Sequence, residues 1–297
     1  MPDSWLASIP GVREHESLLA HSWYRIGGTA RHFLEVTDDG LVAELIARLT
    51  RDQIPYVVIG AASNTLFKTG EVPGLVIKLA NERWQVDGDL VSASAGTLMP
   101  RLALESAKAG RAGLEFGAGV PGSVGGSVFG NAGAFGREVK DALATVDVVA
   151  PDGSRHVLGN GDCRFAYRDS LFKQARPGWL IVGATFTTTA DEPDRVRARI
   201  REVQKHRRDT QPIEKRSLGS TFKNPPGDSA GRLIEAAGLK GRRLGGAEIS
   251  RKHANFIVNL GGATADDVLA LMAEMRDRVR EQFGIDLEPE VRVVDAE

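Results

Sequence analysis

Apolar residues recur at helical spacing in several long stretches of the chain and alternate with polar ones in shorter runs. In Asp38–Arg51, Leu41, Leu45 and Leu49 repeat every fourth residue with Ile46 alongside, which predicts an amphipathic helix. Pro55 follows it, and Tyr56–Ile59 reads as a short buried strand. Ser22–Val36 ahead of the helix reads as strand, Gly27-Gly28 turn and strand, so the region predicts a strand–helix–strand unit. Leu75–Leu79 is a further apolar strand, and residues 84–95 alternate about Asp87-Gly88 as a hairpin does. Pro100–Ala109 predicts a helix with Leu102, Leu104 and Ala107 inward and Gly110 as its cap. Ala144–Ala150 and His156–Leu158 pair across a turn at 151–154, and Trp179–Thr189 is another strand. Asp194–Arg208 is a helix with Val196, Ile200 and Val203 on one side and basic residues around the rest. Toward the end come a short helix at Ser229–Ala237, a strand at Asn255–Leu260 and a long helix at Thr264–Phe283. Thr264 is the N-cap of that last helix and Gly284 its stop. Ile285–Val294 reads as a final strand.

One stretch breaks these patterns. Gly117–Gly136 carries glycine at 117, 119, 122, 125, 126, 130, 133 and 136, with Ala, Ser and Val between them. Such a run has little side chain with which to build a core, but its bare backbone can approach a ligand closely. Val120, Val124, Val128 and Phe129 set it apart from a polar linker. Residues 117–122 match G-x-G-x-x-G formally. A dinucleotide-binding turn needs a helix opening inside the motif, and here Pro121 falls within it, so the match is discarded. Gly60-Ala61-Ala62-Ser63-Asn64-Thr65 is a second small-residue turn at a strand end, suited to phosphate or ribose oxygens. Arg25 and Arg31 flank the bare Gly27-Gly28 turn, where they read as phosphate ligands or as surface arginines on a plain turn.

Composition narrows the picture. A formal net charge of −1 over 297 residues gives no basic field for nucleic acid, and no apolar run reaches membrane-span length. The first residues lack a basic segment followed by an apolar one, and Cys163 is the single cysteine, so no intramolecular disulfide forms. We therefore expect a cytoplasmic protein with no nucleic-acid or membrane partner, monomeric or weakly oligomeric. No metal cluster, P-loop or nucleophile elbow is present in the sequence, and no metal is expected. Three polar sites remain: Tyr167-Arg168, Ser220 in a Gly-Ser-Thr-Phe-Lys-Asn run, and Glu290 near the end. Together these point to a nucleotide-type cofactor and a charged substrate.

The sequence resembles the UDP-N-acetylenolpyruvoylglucosamine reductases of bacterial cell-wall synthesis, from about Ser22 to Val294. The resemblance lies in residues 119–136, 163–173, 219–225, 237–259 and 287–294, five motifs in order. It implies an α+β fold: a split FAD-binding domain of the vanillyl-alcohol-oxidase (PCMH) type plus a C-terminal α/β substrate-binding domain. On the sequence, residues 1–82 and 83–192 are the two FAD-binding subdomains. Residues 193–284 are the substrate-binding domain, and 285–297 a strand contributing to the active site. The resemblance further implies FAD and NADPH as cofactors and UDP-N-acetylglucosamine enolpyruvate as substrate, with hydride added at C3 and a proton at C2. It makes Ser220 the proton donor and adds Arg168 and Glu290 as catalytic residues. Tyr167, Lys223 and Asn224 are expected on the substrate. Expected on FAD are Gly60, Ala61, Ala62, Ser63, Asn64 and Thr65 in the first loop. In the glycine stretch they are Gly119, Pro121, Gly122, Ser123, Gly125, Gly126, Ser127, Asn131 and Gly133. A same-fold oxidase that returns FAD electrons to oxygen is the alternative, but residues 60–65 hold no His or Cys for covalent flavin attachment. The chain departs from the family in having Ala62 where a glycine is usual and Trp23-Tyr24 ahead of Arg25. Its 170–179 connection is short, as in the family's shorter form.

Overall fold

The computed structural model describes residues 3–174 and 178–297. Its backbone contacts divide the chain into two discontinuous units. Unit 1 comprises residues 1–14, 32–61 and 74–206, and unit 2 comprises 15–31, 62–73 and 207–297.

In unit 1 the helix Val42–Arg51 forms where the spacing places it, entered through a 3₁₀ turn whose Asp38 cap accepts from the Gly40 N–H. Ile46 and Leu49 are fully buried, whereas Leu41 is exposed. The predicted strand–helix–strand unit is modified by its sheet. The strand order is Val12–Ser17, Thr29–Val36, Glu71–Leu79, Tyr56–Ile59, so Glu71–Leu79 lies between the two strands that flank the helix. Tyr56–Ile59 runs parallel to residues 75–78. The expected first strand at Ser22–Ile26 is not there; those residues are irregular, and the strand is Val12–Ser17.

A five-stranded antiparallel sheet carries the rest of unit 1, in the order Arg155–Gly159, Leu143–Val149, Leu180–Thr187, Leu90–Ser94, Trp84–Asp87. The period-2 alternation of these strands buries Val146, Val148, Ala184, Phe186 and Val91 on one face. That face joins Ile46, Leu49, Leu102, Phe116 and Val124 in one core. Helix Met99–Lys108 buries Ala103 and Ser106 beside Leu102, while Leu104 points outward, one position off the expected face. Helix Pro193–Thr210 packs Val196, Ile200 and Val203 onto Ala103, Ala107, Ala112 and Ala118. This contact makes residues 193–206 part of unit 1, whereas the sequence reading begins the substrate-binding domain at 193.

Unit 2 has its own core. Helix Ala265–Phe283 is closed by a reciprocal box between Thr264 and Asp267 and by Gly284 in the left-handed conformation. Its Val268, Leu271, Met272, Met275 and Val279 are buried, each contributing about 1.5–3 kcal/mol by removal from water. They pack with Leu233, Ile234, Ile249, Ile257 and the fully buried Phe222. A small antiparallel sheet orders Arg216–Ser217, Ile257–Asn259, Ala247–Ile249 and Arg243–Leu244. The final strand is only Arg292–Val294, and it pairs in parallel with Thr65–Phe67. Arg31 sits on Glu71 at 2.9 Å and on Glu297 at 3.2 Å, so its charge is met within the protein. Among the described residues no helix is long and apolar enough to cross a membrane.

Candidate active site

Each unit presents one cluster built from the segments singled out in the sequence. In unit 1 the glycine stretch is not a loop throughout. It forms a 3₁₀ turn at Glu115–Gly119, a short helix at Val124–Phe129 and a hairpin of residues 133–138. Its glycines are needed by close packing: a Cβ on Gly125 would stand 2.9 Å from that of Ala95, and one on Gly117 2.9 Å from the Met99 methyl. The two small-residue stretches also meet here. A Cβ on Gly60 would stand 2.0 Å from Ser123 Oγ. The result is a cradle of bare backbone at Gly60–Ala61 and residues 119–126, where Pro121 and Gly126 are exposed. Backbone approach without side-chain interference is what a dinucleotide cofactor such as FAD requires. The serines contribute less than expected: Ser123 and Ser127 are buried, Ser123 Oγ caps the short helix, and Ser127 Oγ donates to Ser123 O at 2.8 Å. Gly122 accepts the Met99 N–H through its carbonyl.

The polar run 163–173 is fastened to this stretch. Asn131 is fully buried. Its Nδ2 donates to Ala166 O at 2.9 Å and to Glu138 Oε2 at 3.0 Å, and its Oδ1 accepts from Lys140 N at 3.0 Å. Ser170 Oγ donates to Phe129 O at 2.6 Å. Arg168 reaches across to Gly133 O at 3.0 Å and lies 3.6 Å from Glu138 Oε1. Its backbone is left-handed, at φ 55°, and Lys173 Nζ holds its carbonyl at 2.6 Å. A left-handed arginine costs about 1 kcal/mol or more, a strain that persists only where the surroundings fix it. The guanidinium is thus aimed by Gly133 and Glu138, and the backbone beneath it is held by Lys173. Tyr167 is 44% exposed, its ring beside the Arg168 guanidinium at 5.1 Å. Glu138, the second partner of Arg168, is a site residue the sequence reading missed; it holds Lys140 at 3.0 Å and raises that ammonium's pKa.

In unit 2 three segments run side by side. Thr221 O accepts the Glu290 N–H at 2.9 Å, Lys223 N–H donates to Glu288 O at 2.9 Å, and Phe222 bridges Pro289. On the other side of residues 288–292, Asn64 Nδ2 donates to Glu290 O at 3.0 Å and Arg292 N–H to Asn64 O at 3.0 Å. Ser220 and Glu290 therefore belong to adjacent, hydrogen-bonded segments, and Asn64 gives its amide to that lacing. Gly219 is left-handed, at φ 76°, which turns the chain into Ser220. Among the described residues the half-buried Ser220 hydroxyl makes no hydrogen bond. Lys223, expected on a diphosphate, pairs with Glu288 at 2.5 Å, and Asn224 Oδ1 accepts the Ala230 N–H at 3.1 Å. Ala62 takes φ 46°, a conformation a glycine adopts without cost.

Together with the matches to known families, these features define an FAD-binding oxidoreductase with a separate C-terminal domain. A model of the FAD binding domain matches residues 30–159, and a model of the UDP-N-acetylenolpyruvoylglucosamine reductase C-terminal domain matches residues 211–294. The chain belongs to the UDP-N-acetylenolpyruvoylglucosamine reductase family. The reductase of Rhodopseudomonas palustris (strain BisB5) is 41% identical over 96% of this chain and 93% of its own. That of Rubrobacter xylanophilus is 42% identical over 96% of each. The crystal structure of the Thermus caldophilus reductase superposes with a TM-score of 0.81 at 38% identity, covering 96% of this chain and 100% of that one.

Proposed function

We propose that the protein reduces the enolpyruvyl double bond of UDP-N-acetylglucosamine enolpyruvate to the lactyl ether of UDP-N-acetylmuramate, with NADPH as reductant, in the cytoplasm. It does so as a monomer or weak oligomer. FAD, when bound, carries a hydride from the nicotinamide to carbon, and residues 60–65 and 119–133 are those that would hold it. Carbon C3 gains the hydride, C2 gains a proton, and NADPH leaves oxidised. Negative charge building toward the substrate carboxylate needs a fixed cation more in the transition state than before it, which is the role of Arg168. Ser220 gives its proton to C2, and Glu290 restores it directly or through water. Tyr167, Lys223 and Asn224 bind the substrate.

The observation that carries this reading is the backbone bond between Glu290 and Thr221, which keeps the acid segment beside Ser220. Stopped-flow absorbance of the flavin, with each substrate supplied separately, tests it. Ser220→Ala should leave reduction by NADPH intact and slow reoxidation by the enolpyruvyl substrate about 10²–10⁴-fold. Equal slowing of both half-reactions, or a protein that FAD cannot reconstitute, overturns the reading. Rapid reoxidation by oxygen that ignores the enolpyruvyl substrate favours the oxidase instead.

A further inference from the structure

Asn255 has no part in the reading above, yet all its hydrogen bonds outside its own chain segment go to the two residues after Ser220. It is 3% exposed, between Ala254, 2% exposed, and Phe256, 5% exposed. An amide in such surroundings costs stability unless every polar atom is paired. Its carbonyl accepts the Thr221 N–H at 2.8 Å, its Oδ1 accepts the Phe222 N–H at 3.0 Å, and its Nδ2 donates to Phe222 O at 2.8 Å. The side chain thus does for Phe222 what a neighbouring strand would do, pairing both backbone groups of one residue. The opposite edge of the same segment remains for Glu290, whose N–H enters Thr221 O at 2.9 Å. The Phe222 ring, fully buried, anchors the segment from below. Ser220 stands at the end of this clamp, next to Gly219, which gives no steric restraint of its own: a Cβ there would meet nothing within 4 Å.

We infer that Asn255 is the positioning residue that fixes the Ser220 hydroxyl for proton delivery. This inference rests on Ser220 being the proton donor, and it deepens that assignment. Without the amide, the 220–222 segment keeps the bond from Thr221 N–H to the Asn255 carbonyl and those that Thr221 O accepts from Glu290 and Val291 N–H, with Lys223 N–H still on Glu288 O beyond it. The hydroxyl then samples positions away from the accepting carbon, and a misplacement of about 1 Å can cost on the order of 100-fold.

The test uses the FAD-loaded, full-length protein. In Asn255→Ala, flavin reduction by NADPH and FAD content should match the wild type, as should the KM for the enolpyruvyl substrate. Flavin reoxidation by that substrate should slow by about 10–100-fold. The solvent deuterium isotope effect on that step should rise, because proton delivery has become limiting. A residue that only stabilised the domain would not move the isotope effect. Asn255→Asp keeps the acceptor for Phe222 N–H and loses the donor; it should show the same split and serves if the alanine variant does not fold. Unchanged reoxidation, or equal slowing of both half-reactions, overturns the inference. If Ser220→Ala slows reoxidation while neither Asn255 variant does, the clamp is refuted and Ser220 stands. If Ser220→Ala is itself without effect, both fall.

Discussion

Asn131→Asp isolates the lacing between the glycine stretch and the Tyr167–Arg168 run. The substitution keeps size and shape, and keeps an oxygen to accept the Lys140 N–H. It replaces the donor edge, which faces Ala166 O at 2.9 Å and Glu138 Oε2 at 3.0 Å, with a second acceptor. The bond to the charged carboxylate is worth about 1.5–3 kcal/mol and the one to the carbonyl about 1 kcal/mol. Ionising the new carboxyl beside Glu138 would add roughly 5 kcal/mol of repulsion for charges ~3 Å apart at an effective dielectric of ~20. The folded state therefore holds a proton there, and that proton restores one of the two lost bonds. A carboxyl whose folded pKa is raised contributes its full stability below its unfolded value of about 4 and loses it as pH rises toward the folded value. Holding the proton costs about 1.4 kcal/mol per pH unit above the unfolded value, so the variant should lie about 3 kcal/mol below the wild type at pH 5 and about 6 kcal/mol below at pH 8. Urea unfolding followed by circular dichroism at the two pH values measures the difference. A deficit under about 1 kcal/mol at both, or one that shrinks as pH rises, refutes the reasoning.

Two further outcomes follow from the backbone and the buried thiol. Ala62→Gly relieves a left-handed alanine worth about 1 kcal/mol and gives up a buried methyl worth about 0.8 kcal/mol, so stability should hold or rise slightly. Ala62→Val, with a branched Cβ in the same conformation, should lose more than about 1 kcal/mol; the reverse order by thermal denaturation contradicts the assigned φ. Burial pushes the Cys163 thiol up to about 11, and its Sγ donates to Gly159 O at 3.3 Å. The folded protein should therefore resist alkylation at pH 8, react only as urea opens it, and lose stability as pH rises from the ordinary cysteine value toward 11. Cys163→Ala should flatten that decline, and fast labelling of the native protein contradicts the burial.

The helices were the most legible part of the chain. Val42–Arg51 and Ala265–Phe283 announce themselves because their signals are local: helical spacing in both, Pro55 after the first, and the Thr264 cap and Gly284 stop of the second. The strand at 22–26 failed for the complementary reason. Its residues alternate plausibly, but a strand exists only where a neighbour pairs with it, and Tyr24 instead turns inward to donate to Ile257 O. The last strand shrank to Arg292–Val294 because only those residues have a partner, Thr65–Phe67.

The candidate site divides along the same line. The sequence by itself determined which residue types make up the candidate site, since bare glycine backbone, Arg168, Ser220 and Glu290 are recognisable as types in motifs. Only the tertiary structure decided how they are held. Asn131 is tied to Ala166, Glu138 and Lys140, and Asn64 to the Glu290 carbonyl. Glu138 and Asn255 drew no attention, although an asparagine inside His-Ala-Asn-Phe-Ile-Val is a polar residue in an apolar run, which is the one signal that marked it. A buried amide's purpose lies in its partners, and the partners of Asn255 are more than thirty residues away, at Thr221 and Phe222. Pairing over that distance depends on chain closure and packing, which composition and periodicity do not encode.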